Sequence, residues 1–142
     1  MSDDTAPKSA RPGLLTAAAS VQFFGTFLGI ITGFAALMNS GTDASLAPLG
    51  SAPKDLRNTI IPIAGIIAPI LGFAGLYAGL QIRKLTERGL KVGMNIGYIG
   101  IGLGIVELIA GIPVGAAAVL AYGFIVYALT KGKDSFLPPA PT

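Results

Sequence analysis

The sequence predicts an all-α integral membrane protein. It would be a four-transmembrane-helix bundle, built as two antiparallel hairpins with both termini cytoplasmic. Three observations carry that expectation. Hydrophobic residues make up 52% of the 142-residue chain and charged residues only 12%, about half the charged share of a soluble domain. The charges collect in short clusters between long apolar runs. Lysine and arginine are divided unevenly between the two sides that those runs define.

The elements follow in chain order. Residues 1–13 read as a flexible tail, with Asp3 and Asp4 beside Lys8 and Arg11. No charge then occurs until Asp43. Within that stretch 14–38 is apolar enough and long enough to cross a hydrocarbon core of about 30 Å. The mixed charge before it, and a length beyond the roughly 7–15 apolar residues of a secretion signal, mark it as a retained first span. The loop 39–58 is rich in Gly, Ser, Ala and Pro. Between Arg57 and Arg83 no charge occurs, so 59–82 is the second span. Pro62 falls in its first turn. Pro69 lies mid-span and should kink the helix, freeing the carbonyl of Gly65.

From Val92 to Thr130 the one charge is Glu107. The stretch is too long for a single span of about 20 residues. Gly111-Ile112-Pro113-Val114-Gly115 can turn the chain, which gives a third span at 92–112 and a fourth at 113–130. Residues 14–130 thus form one membrane domain. Residues 131–142 read as a flexible Pro-rich tail.

Four spans place both tails and the 83–91 loop on one side. That side holds eight Lys and Arg, four of them Arg83, Lys84, Arg88 and Lys91, against two on the other, Lys54 and Arg57. The side richer in Lys and Arg is the cytoplasmic one.

The glycines are sorted by helix face. Gly65, Ala68, Gly72, Gly75 and Gly79 recur at steps of three and four in the second span. Gly93, Gly97, Gly100, Gly104 and Gly111 do so in the third, with Glu107 among them. Ala18, Gln22, Gly25, Gly29, Gly33 and Ala36 do so in the first. In lipid, helices associate through close backbone approach, which small residues permit. Small-xxx-small (GxxxG) pairs such as Gly25/Gly29, Gly75/Gly79 and Gly100/Gly104 therefore predict tight helix packing. The bulky face of the first span, Phe23, Phe27, Ile30, Phe34 and Leu37, is left for lipid or a partner protein.

Glu107 is the one acid inside a span. It lies about 22 Å along the third span from Val92, close to the outer boundary and on the glycine stripe. A membrane carboxylate is a functional candidate by default. Gln22, Ser20 and Thr26 lie at a shallower depth in the first span, whereas Thr32 and Asn39 are nearer in depth. Asn95 and Tyr98 make a second polar spot.

Composition excludes several functions. The chain lacks Cys, His and Trp, so it offers no thiolate or imidazole for the usual metal, haem or iron–sulfur sites, and no Ser–His or Cys–His pair. No cofactor, no metal and no enzymatic activity are expected. The short basic clusters lack the interleaved aromatics of a nucleic-acid binder. The expected partners are the lipid bilayer and either other membrane subunits or further copies of the chain. The expected setting is a bacterial inner membrane. The leading functional expectation is a non-catalytic accessory or assembly subunit of a larger membrane complex, for example a respiratory one. The alternative is a small proton-coupled transporter or oligomeric channel using Glu107.

Overall fold

The computed structural model describes residues 12–38 and 54–136. The tail before Pro12, the loop from 39 to 53 with Asn39, and the residues after Phe136 lie outside them. So does the side chain of Thr32. The described chain is helical, in the order α1 (Pro12–Met38), α2 (Lys54–Arg83), α3 (Glu87–Ile109) and α4 (Val114–Lys131), closed by a short 3-10 turn at Lys133–Phe136. No strand occurs among the described residues. All four helices are long and apolar enough to span a membrane. Their outer faces carry large apolar side chains such as Phe27, Ile31, Ile70, Phe73 and Leu120, a surface that is costly in water.

The helices form a ring in chain order. The most extensive contacts are α1 on α2 and α3 on α4, then α2 on α3, and α4 on α1 closes the ring least extensively. The diagonal pairs α1–α3 and α2–α4 do not meet among the described residues.

The two inner turns share one design. After α2, the Leu85 N–H donates to the Ile82 carbonyl at 3.0 Å and the Thr86 N–H to that of Gln81 at 3.2 Å. After α3, the Gly111 N–H donates to Leu108 at 2.9 Å and the Ile112 N–H to Glu107 at 2.8 Å. Both are the paired 5→2 and 6→1 bonds of a Schellman cap, whose hinge residue is left-handed. Leu85 has φ 52 and Gly111 has φ 73. Thr86 then caps α3, its hydroxyl accepting from the Gly89 N–H at 3.0 Å. That cap starts α3 at Glu87, five residues before the start set by charge alone. The Gly111–Pro113 segment stays outside both helices, so α3 ends at Ile109 and α4 begins at Val114.

Small residues shape the two hairpins differently. Between α1 and α2 the glycines of one helix receive bulk from the other. A methyl on Gly72 would come within 2.9 Å of Ile30, one on Gly79 within 3.2 Å of the Phe23 ring, and one on Gly75 would overlap the Gln22 amide. Phe23 and Ile30 therefore turn inward, against their expected place on the outer face. The exposed row on α1 is instead Phe24, Phe27, Ile31, Phe34 and Met38. Gly29 lies beside the Ala68 carbonyl. Gly33 faces Pro69, whose Cδ is 2.5 Å from where a Cβ would stand, and the Gly65 carbonyl, at 3.1 Å from the same point. Pro69 has no N–H for that carbonyl, and bare Gly33 lets the α1 backbone come up to it. Gly65 itself is buried, and α2 runs unbroken through Pro69. Gly25 has nothing within 4 Å of a would-be Cβ.

Between α3 and α4 the same logic repeats. Gly93 accommodates Leu129, Gly97 accommodates Val126, and Gly100 accommodates the ring of Tyr122. Gly104 and Gly115 bring backbone against backbone, and Glu107 Cβ also lies against Gly115.

One end of the bundle is tightly filled. Leu15, Ala19, Ile82, Ile125, Leu129 and Phe136 form a buried cluster there. Phe136 is anchored in this core, so the packed chain continues beyond Thr130, where composition places the start of a tail. The exposed Arg83, Lys84, Arg88, Lys91, Lys131 and Lys133 gather at this same end. Lys91 pairs with Glu87 at 2.7 Å on the surface, where solvent screens the contact.

Candidate functional site

Beyond that filled end the ring does not close completely. A cavity of about 540 Å³ lies among α1, α3 and α4, with a small contribution from Ala68 and Leu71 of α2. Its size is in the range of small-molecule sites, roughly 300–1,000 Å³. It exists because residues facing it are small. Gly25 and Gly29 of α1 and Ala117, Ala118 and Ala121 of α4 all line it.

Two polar side chains line it from different helices. Glu107 is 8% exposed and Gln22 only 1%. Glu107 sits in the last turn of α3, held there by the Schellman cap that its own carbonyl accepts. A carboxylate at a helix C-terminus faces the negative end of the macrodipole, which disfavours it. No hydrogen bond or ion pair to its carboxylate occurs among the described residues. Gln22 is fixed at its backbone, where the Thr26 hydroxyl donates to its carbonyl at 2.8 Å, and its amide nitrogen end rests on Gly75. Its Oε1 is buried without a hydrogen-bond partner among the described residues. Such an orphaned acceptor costs about 1–3 kcal/mol. Tyr122, seated over Gly100, brings an aromatic face from α4, and Phe24 brings another from α1. No Lys or Arg lines the cavity.

Of the polar residues singled out in sequence, the structure thus brings Glu107 and Gln22 to one cavity, despite their difference in depth. Asn95 and Tyr98 are exposed on the outside of α3 and do not line it. Ser20 lines its edge, with its hydroxyl donating to the Thr16 carbonyl at 2.9 Å. Tyr122 was not singled out by sequence. The available signal was its spacing from Ala118 and Ala121, which places one aromatic ring on an otherwise small-residue face. Among the described residues no three His, Cys, Asp or Glu side chains gather where a metal could be held. The chemistry on offer is that of an apolar pocket with one carboxylate and one nearly enclosed amide in its wall, suited to holding a proton or a positively charged group.

No family model, curated protein or solved structure matches the chain. The fold and site define its class: an all-helical bundle of four helices, each long and apolar enough to cross a membrane, with a ligand-sized cavity between its hairpins.

Proposed function

We propose that the chain is a non-enzymatic integral membrane protein of four spans, with both termini cytoplasmic, which binds a small ligand inside its bundle in the manner of a small carrier. The observation that carries this reading is the cavity, lined from all four helices, with the unpartnered Glu107 carboxylate in its wall. A bundle selected only for packing would fill 540 Å³ or keep it free of polar groups, because empty volume and orphaned acceptors both cost stability. The collection of Arg83, Lys84, Arg88 and Lys91 with Lys131 and Lys133 at one end supports the orientation, and a bacterial inner membrane is the setting it suits.

The test is equilibrium binding to the protein in nanodiscs. Three radiolabelled probes of similar shape serve: benzyltrimethylammonium, its neutral carbon isostere neopentylbenzene, and benzenesulfonate. Saturable binding of any of them, abolished by plugging the cavity with Ala121→Trp, is the expected result. Absence of saturable binding for all three would overturn the reading. Counterflow of the bound probe across proteoliposomes then separates a carrier from a static binder.

A second reading, an accessory or assembly subunit of a larger membrane complex, is favoured by the row Phe24, Phe27, Ile31, Phe34 and Met38 on α1. An aromatic-rich stripe is what a neighbouring subunit would cover. Extraction in mild detergent followed by native sizing decides it: recovery of the chain alone counts against a partner.

A further inference from the structure

We propose that the cavity is a site for a small lipophilic monocation, an organic ammonium with an aromatic or branched aliphatic body. Glu107 supplies the counter-charge. The inference rests on the cavity being a binding site and names what that site takes.

The argument is one of complementarity. The charged group that faces the cavity is the Glu107 carboxylate on α3, which has no hydrogen-bond or ion-pair partner among the described residues; Gln22 of α1 lines it as a nearly enclosed amide whose Oε1 is buried. Among the described residues no cation lines the cavity, the macrodipole of α3 opposes rather than supports Glu107, and Lys91, Lys131 and Lys133 sit at the far end of the bundle. An anionic ligand would meet a carboxylate with no counter-ion. A neutral apolar ligand would bury Glu107 with its needs unmet. A hard metal ion wants about six oxygens, and two side chains do not provide them. A single positive charge on an apolar body satisfies the carboxylate and the remaining lining, which is mostly Gly, Ala, Leu, Val and Ile. The rings of Tyr122 and Phe24 in the wall offer cation–π attraction to a quaternary or protonated amine. Phe24, Leu28, Val114 and Ala117, which line the cavity, are also exposed on the outer surface. Even with its charge placed at the carboxylate, a ligand of this kind keeps its body in apolar surroundings throughout.

The nanodisc assay tests this by charge selectivity. In the wild-type protein benzyltrimethylammonium should bind at least about tenfold more tightly than neopentylbenzene, and benzenesulfonate should not saturate, because a desolvated charge pair is formed only with the cation. Glu107→Gln should weaken the cation at least about tenfold and bring its affinity to within a few-fold of that of neopentylbenzene. Equal binding of the cation and its carbon isostere to wild type overturns the inference while leaving the cavity reading intact. So does a Glu107→Gln protein that keeps its cation affinity. Absence of saturable binding by any probe overturns both. The wild-type comparison needs no variant, so a misfolded Glu107→Gln chain does not remove the test.

Discussion

Gly25 and Gly100 have the same side chain and the same periodic spacing, and the structure gives them opposite environments. A methyl on Gly25 meets nothing within 4 Å, whereas one on Gly100 overlaps the Tyr122 ring. Gly25→Ala should therefore be neutral or stabilise by up to about 1 kcal/mol through helix propensity. Gly100→Ala should destabilise by about 1–3 kcal/mol through overpacking. Reversible unfolding in mixed micelles reads both, and equal effects would contradict the packing described. Gln22 poses a related question. Gln22→Met removes the orphaned Oε1 at nearly constant volume, so the variant should be at least as stable as wild type, by about 1 kcal/mol. The periodicity of these residues was legible in the sequence. Their surroundings were not, because spacing on one helix does not say what a second helix brings to each gap. Phe23 and Ile30 show this. As large residues they read as outer-face bulk, yet the glycines of α2 at 72 and 79 make room for them inside.

The elements themselves were the legible part. Hydropathy and charge located four helices because a span must be long and nearly uncharged, and few other structures have that pattern. Boundaries shifted where hydrogen bonding, not hydropathy, decides them. Thr86 starts α3 by accepting from Gly89, ahead of the apolar run, and Pro69 leaves α2 continuous. The two Schellman turns give the prediction at this scale. Gly111 tolerates φ 73 without penalty, while Leu85 at φ 52 bears the left-handed cost of about 1–2 kcal/mol. Gly111→Ala should destabilise the bundle by about 1 kcal/mol, and Leu85→Gly should be neutral or stabilising, since relief of that cost opposes the extra freedom of glycine in the unfolded chain. If the unfolding midpoints move in the opposite directions, the turns are not built as described.

At the scale of the whole molecule, the fold arranges six of the described basic residues at one end and leaves the α3–α4 turn without any. The chain has no cysteine, so single introduced thiols report sidedness without background. Leu85→Cys and Asp134→Cys, both at exposed positions, should label from the cytoplasmic side in inside-out vesicles. Pro113→Cys, also exposed, should label from the opposite side. Pro113 and Leu85 reacting from one side would refute four crossings. The cavity was not legible at this scale or any other in the sequence, because it lies where helices fail to touch. Gln22 of α1 and Glu107 of α3 come from different spans at different depths, and only the ring arrangement of the helices brings both to one cavity.

That ring has one weak side. The α1–α4 contact is gripped at one end by Leu15, Ala19, Ile125 and Leu129 and parted at the other, so the molecule resembles a book with α2 and α3 as its spine. The two hairpins are its covers, and the cavity is the gap between them. In a bilayer, whatever presses the covers together works against whatever lies between. Tighter lipid packing and an occupant then compete for the same volume, and the affinity of the site becomes a gauge of the lateral pressure around it.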